Sequence, residues 1–184
     1  MKKLFVISGS SGVGKGTVIK KFLEQNPTFK LSVSSTTRQK REGEIHGKHY
    51  YYLSKEEFMK AVDRGEFLEW AEFSGNFYGT NKTFVQKCLD NDENLILEID
   101  TQGALQVKKK IKNAILIFIL PPSLEALEKR LRNRGTDSEE AIQKRLNTVK
   151  FEIENSKVFD YTVTNDTIEN AVKELEEIIK NEQV

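Results

Sequence analysis

"LFVISGSSGVGKGTVIKKF" (Leu4–Phe22) decides the fold. Leu4–Ser8 is a short apolar, β-branched run that reads as a buried strand. From Lys15 onward, Val18, Ile19, Phe22 and Leu23 fall at the spacing of one helix face. Between the two, Gly9, Gly14 and Lys15 stand at the spacing of a phosphate-binding loop. Glycines there let backbone N–H groups converge on phosphate oxygens, and the helix N-terminus adds partial positive charge. Lys15 reaches the outer phosphates. The pattern asks for Ser or Thr directly after the lysine, where this chain has Gly16, with Thr17 one place later. The flanking strand and helix favour a nucleotide site with altered metal handling over a glycine-rich turn with a surface lysine.

Working outward, further buried strands are expected at Lys30–Ser34, Leu95–Asp100, Ala114–Leu120 and Tyr161–Thr164. Helical patterns separate them at Lys15–Asn26, Gln102–Ile111, Leu124–Arg134, Glu139–Asn155 and Ile168–Asn181. Ser123 and Gly135 bracket one of these as start and stop signals. Apolar strands alternating with helices predict a parallel α/β sheet covered on both faces, with ligands outside the strand C-termini.

Ser35–Thr80 breaks that rhythm. "HYYYLS" and "EFLEWAEFSGNFYG" read as half-buried antiparallel strands, and Ser54 with Glu57 forms a capping box for a short helix between them. The stretch is expected to be a small α+β insertion on the core.

Composition narrows the partners. The chain has 184 residues, one domain's worth, and 29 Lys+Arg balance 28 Asp+Glu. That balance gives no support for nucleic acid or a membrane surface as partner. Cys88 is the sole cysteine, so neither an intrachain disulfide nor a cysteine zinc site is expected, and His46 and His49 are too few for a His-rich metal site. "LFVI" is too short for a secretory apolar region, and no run approaches transmembrane length, so a soluble intracellular protein is expected.

Several insertion residues carry chemistry. Arg38 and Arg41, followed by a tyrosine cluster, suit one phosphate dianion through charge-assisted hydrogen bonds. Taken alone, they more readily read as exposed arginines on a loop beside a core-forming strand. Glu69 and Glu98 stand in apolar strands, where a carboxylate costs free energy unless it finds donors, or else they mark a solvated edge. Asp100 reads as a strand-end cap or as a residue that helps hold Mg²⁺.

With these residues in view, the chain resembles guanylate kinases over essentially its whole length. The stretches that carry the resemblance are "SGSSGVGKGT", "SVSSTTR", "REGE", "GKHYYY", "EWAEFSGNFYGT", "LEIDTQGA", "RLRNRGTDSEEAIQKRL" and "VTND". The resemblance implies a P-loop nucleoside monophosphate kinase fold with a parallel sheet core and helices on both faces. It would be a single domain over 1–184, with core segments 1–33, 81–128 and 148–184, a GMP-binding insertion at 34–80 and a helical lid at 129–147.

The activity implied is ATP + GMP → ADP + GDP in purine nucleotide metabolism, with dGMP as a further acceptor. Gly9, Ser10, Ser11, Gly12, Val13, Gly14, Lys15, Gly16 and Thr17 would bind ATP. Arg38, Arg41, Tyr50 and Tyr78 would hold the GMP phosphate, and Ser34 and Thr80 would face guanine O6. Glu69 and Asp100 would accept from N1–H and the N2 amino group. Arg130, Arg134 and Arg145 would contact the transferring phosphates, and Asn165 would lie near the ATP adenine. Lys15, Arg38, Arg134 and Arg145 would be the catalytic set.

Mg²⁺ would come with ATP, held by its oxygens and by waters near Glu98 or Asp100, without a direct protein ligand. The partners would be ATP and GMP alone, with no nucleic acid or membrane, in a cytoplasmic monomer or homodimer. The family often has Pro in place of Ser10 and Asp in place of His49, and the Gly-Thr after Lys15 also resembles adenylate kinases.

The base chemistry agrees with this assignment. Guanine presents donors at N1 and N2, which a carboxylate matches, whereas adenine would set a lone pair against it. Such mismatches discriminate by roughly 10⁴-fold. Three rivals differ in class: a non-catalytic guanylate-kinase-like binding module, a GTPase switch, and a kinase for another small acceptor. Such binding modules lose the P-loop, which is intact here. The GTPase guanine motif needs Asp where "NKTF" has Phe84.

Overall fold

The computed structural model describes residues 3–10, 12–133 and 138–183. In chain order the elements are β1 (Leu4–Gly9), α1 (Lys15–Gln25), β2 (Phe29–Leu31), β3 (Ser35–Thr36), β4 (Tyr51–Tyr52), α2 (Lys55–Asp63), β5 (Phe67–Phe73) and β6 (Asn76–Asn81). They continue with α3 (Lys82–Asp90), β7 (Asn94–Glu98), α4 (Thr101–Lys110), β8 (Ile115–Leu120), α5 (Leu124–Asn133), α6 (Glu139–Asn155), β9 (Tyr161–Thr164) and α7 (Ile168–Gln183). Two compact units result, Met1–Leu4 with Thr28–Ala114, and Phe5–Pro27 with Ile115–Val184. Among the described residues no helix is long and apolar enough to cross a membrane.

In the unit containing α1, the strands β1, β8 and β9 form a parallel ladder, with Phe5 opposite Ile115 and Ile117 opposite Tyr161. Phe5, Val6 and Ile7 are fully buried, as are Leu116 to Ile119. Strands covered on both faces cannot alternate polar with apolar residues, which explains these unbroken runs. α1 packs on α7, burying Val18, Ile19 and Phe22 on the first and Ala171, Val172, Leu175 and Ile179 on the second. Asn26 at the end of α1 adds a 2.7 Å hydrogen bond to Glu176. α5 and α6 share a separate cluster of Leu127, Leu131, Ile142, Leu146 and Val149.

In the other unit β2 pairs with β7 in parallel, and a second sheet runs in the order β4-β3-β6-β5. Its core is aromatic. Phe58 of α2 stacks on Phe67 at 4.6 Å and on Phe77 at 5.6 Å, with Trp70 edge-on at 6.4 Å. Phe67 and Trp70 lie three residues apart, so strict alternation would set them on opposite faces. A bulge between Phe67 and Glu69 resolves this by shifting the register against β6. Beyond the bulge, Glu69 lies opposite Thr80 and Ala71 opposite Tyr78.

The outer edge of β5 is covered by α4. The Gln106 side chain accepts from Trp70 N and donates to Trp70 O, and Lys110 donates to Leu68 O. Pairing these backbone groups removes the hazard of an open strand edge.

The expected elements recur with local differences. The capping box is present: Ser54 Oγ accepts from Glu57 N and Glu57 accepts from Ser54 N. The strand expected through Ser34 stops at Leu31, because the chain then leaves β7 to enter the second sheet as β3. "HYYYLS" is not an antiparallel strand; only Tyr51–Tyr52 is extended, and it pairs parallel to β3. The periodicity reading assigned no element to residues 82–90. There Asn81 caps α3 by accepting from Phe84 N at 2.8 Å.

Truncating Phe58 leaves a cavity beneath both faces of the aromatic cluster. Phe58→Ala is expected to lower the unfolding free energy by about 3–5 kcal/mol, measured by urea titration.

Candidate active site

The phosphate-binding loop leaves β1 and enters α1. Val13 is fully buried and its N–H closes a turn on Ser10 O at 3.1 Å. Gly14 caps α1 at φ 92°, a left-handed conformation that glycine adopts freely. Its carbonyl accepts from Thr17 N and Val18 N, which opens the helix. Lys15 is half-buried at the first helical position, while Gly16 and Thr17 are exposed. Ser10 is buried, with an Oγ that meets no partner among the described residues. Asn165, just past β9, is buried and donates from Nδ2 to Val13 O at 2.7 Å. Ser11 and Arg134 lie outside the described residues, as do the side chains of Arg130 and Arg145.

A second constellation lies within the other unit, on one face of the sheet β4-β3-β6-β5. Arg38 is fixed rather than loose. It donates to Glu44 at 2.7 Å and to Gln39 O at 2.8 Å, and its guanidinium lies 5.4 Å from the Tyr50 ring centre and 5.9 Å from that of Tyr52. Glu44 is the hub: its other oxygen accepts from Arg41 N and from the Tyr52 hydroxyl, each at 2.8 Å. Hydrogen bonds from Arg38 and then from Arg41 hold its carboxyl down at about 2. Tyr50 meets Tyr78 edge-on at 6.0 Å, and burial raises its phenol. Arg41 is exposed, and Ser34, just before β3, is half-buried, its carbonyl accepting from Tyr51 N.

Glu69 sits deeper. Only 3% of it is exposed, and Oε1 accepts from the fully buried Thr80 hydroxyl at 2.5 Å. Its carboxyl is pushed up to about 7, first by burial and then by the nearby Asp100 charge, against the Thr80 hydrogen bond and the Lys110 charge. The solvated-edge alternative is thereby removed for Glu69. Asp100 caps α4, accepting from Gly103 N at 2.7 Å, which settles its cap reading. Between the two carboxyls lies Gly103. A Cβ there would collide with Glu69 Oε2 and lie 3.4 Å from Asp100 Oδ1. A glycine inside a helix costs about 1 kcal/mol relative to alanine, and this one admits the carboxyl. Two acid groups so placed suit a ligand edge carrying adjacent N–H donors. Glu98, at the end of β7, is half-buried.

Neither spacing nor family resemblance assigns Tyr52, Glu44 or Gly103 a site role. A glycine interrupting the periodic pattern of α4 was the one visible signal; the Glu44 hub depends on contacts that spacing does not show.

A P-loop in one unit, and in the other an arginine–tyrosine cradle on the sheet that carries the buried Glu69, are the features of a nucleotide-binding protein. Comparison with known proteins agrees. The family model described as guanylate kinase matches residues 1–182. Guanylate kinases of Prochlorococcus marinus (strain SARG) and Clostridioides difficile are 52% and 46% identical to this chain, covering 97% and 98% of it and 97% and 88% of their own lengths. The crystal structure of guanylate kinase from Anaplasma phagocytophilum superposes with a TM-score of 0.83 at 35% identity, over all of this chain and 87% of that one. The chain belongs to the guanylate kinase family.

The raised Glu69 carboxyl has a pH consequence. Below 4.5 it is protonated in both folded and unfolded chains, and its contribution to stability is fully present. Between 4.5 and about 7 the unfolded chain ionises first, so that contribution is lost as pH rises, by about 3 kcal/mol in all. Lowered carboxyls such as Glu44 act in the opposite sense, so the comparison must be with Glu69→Gln. Across that window the unfolding free energy of the wild type is expected to fall relative to the variant, followed by urea titration at stepped pH.

Proposed function

We propose that this chain catalyses the transfer of the ATP γ-phosphoryl group to GMP, giving ADP and GDP. The observation that carries the reading is the buried Glu69 carboxyl, bonded to Thr80 and set beside Asp100 on the sheet that bears the arginine–tyrosine cradle. In this reading Glu69 and Asp100 accept from guanine N1–H and its N2 amino group, and Thr80 and Ser34 face O6. A carboxyl pushed up to about 7 gives up its proton on accepting such donors. Arg38, Arg41, Tyr50 and Tyr78 take the GMP phosphate. Glu44 serves as the positioning residue that keeps Arg38 in place before the phosphate arrives. None of these contacts involves the 2′-hydroxyl, and dGMP is therefore proposed as a second acceptor.

The loop from Gly9 to Thr17 takes the ATP phosphates, with Lys15, Arg130, Arg134 and Arg145 offsetting charge on the transferring group. Residues 34–80 then form the GMP-binding insertion and 129–147 the lid. Phosphoryl transfer asks mainly for alignment and charge stabilisation, and the acceptor phosphate is already anionic, so no general base is required. Gly16 offers no side chain and Thr17 is exposed, which fits a Mg²⁺ carried by the nucleotide's own oxygens and by water. That ion would supply neutralising charge on the phosphates. A cytoplasmic location, where both nucleotides are at hand, is part of this reading.

A coupled assay across nucleoside monophosphates tests the reaction. GMP and dGMP should be phosphorylated, and AMP, CMP and UMP should fall by roughly 10⁴-fold in kcat/KM; comparable rates on AMP would overturn the guanine assignment. Arg41→Met should raise the KM for GMP by at least about tenfold while leaving that for ATP unchanged.

Gly103→Ala separates base recognition from folding. Alanine favours the helix, and the atom it displaces is the far end of a flexible side chain, so the melting temperature should hold. The Glu69 carboxyl must move, and kcat/KM for GMP should drop by about 10²-fold. Unchanged GMP kinetics in this variant would show that the carboxyl does not read the base.

A further inference from the structure

We propose that Asn165 is a positioning residue that acts on the phosphate-binding loop and not on the nucleotide base. This rests on the reading that the loop binds ATP. Asn165 N donates to Leu120 O at 2.8 Å, extending the β8–β9 ladder by one residue and anchoring the backbone. From that anchor Nδ2 donates to Val13 O at 2.7 Å, a contact between residues 152 apart in sequence. Both residues are buried, with Asn165 2% exposed and Val13 not at all. The loop is also shaped to the amide, since a Cβ on Gly14 would lie 2.8 Å from Asn165 Nδ2.

The geometry of the peptide bond turns this contact into a functional one. Val13 C=O and Gly14 N–H belong to one planar trans peptide unit and point in opposite directions. Holding the carbonyl on the Asn165 side therefore directs the Gly14 N–H the other way, as a donor into the phosphate cradle. Rotation of the same peptide would set a carbonyl oxygen against a polyanion. A cradle built from backbone donors depends on such orientation, because it has no side-chain charge at Gly14 to compensate. The placement of Asn165 near adenine, implied by family resemblance, becomes the competing outcome of the test.

The test uses Asn165→Ala, which removes the side-chain N–H donors without adding charge beside the phosphates, with Asn165→Leu, close in size and equally uncharged, as a second variant. KM would be measured for ATP, dATP and GTP as donors, and inorganic tripolyphosphate binding by calorimetry. The positioning role predicts that all three donors and tripolyphosphate weaken by a common factor of about ten, the effect of a lost hydrogen bond at a buried group. The ATP-to-GTP preference and the KM for GMP stay at their wild-type values. A changed donor preference with unchanged tripolyphosphate binding would overturn the proposal in favour of base contact, and so would no change in either.

A measurement on the unaltered protein covers the case in which both variants fail to fold. Scalar coupling across the hydrogen bond between Asn165 Nδ2 and the Val13 carbonyl carbon should be visible by NMR and persist with ADP bound. Its loss on ADP binding would overturn the proposal. Absence of wild-type turnover with ATP and GMP would count against the kinase reading instead, leaving tripolyphosphate binding and the coupling to decide the role of Asn165.

Discussion

Burying the Glu69 carboxyl between β5 and α4 is expensive, and much of the surrounding architecture offsets that cost. A bulge turns Glu69 onto the face of Thr80 while keeping Phe67 and Trp70 together beneath it. Thr80 supplies a hydroxyl donor, Lys110 lies close enough to lower the carboxyl, and Gly103 gives up its side chain to make room. The group still remains well above the ordinary carboxylate range. A buried acceptor that is only partly satisfied by the protein retains a demand for donors, and a ligand that meets this demand is selected over one that does not.

In the proposed reading the two phosphate sites solve their electrostatic problem differently. The loop between β1 and α1 offers backbone donors, and two of its carbonyls are tied down, Ser10 O by Val13 N and Val13 O by Asn165 Nδ2. The arginine–tyrosine cradle offers side chains, which are long and lose conformational entropy when ordered. Glu44 lowers that cost in advance: one carboxylate collects Arg38, the Arg41 backbone and Tyr52, while Tyr50 and Tyr52 line the guanidinium. On the proposed function an arriving phosphate would meet an ordered arginine, at the expense of competing with Glu44 for it.

The helix α4 links recognition to sheet integrity. Gln106 and Lys110 cover the free edge of β5, Asp100 caps the helix, and Gly103 borders Glu69. A short helix thus protects an edge strand and carries one wall of the acid pair. Its glycine is a local weakness that makes sense only through this tertiary contact.

How much of this was legible beforehand follows from the range of each interaction. Local signals were readable: the glycine loop between Leu4–Gly9 and Lys15–Gln25, the Ser54–Glu57 capping box, and the unbroken apolar runs of parallel strands, because their causes lie within a few residues. The resemblance added a phosphate as partner for Arg38 and a guanine edge as partner for Glu69. The bulge at Glu69, the parallel pairing of Tyr51–Tyr52, the Glu44 hub and the reach of Asn165 to Val13 were decided only by tertiary structure. Each depends on burial and on contacts between residues distant in sequence, and local periodicity holds no record of either.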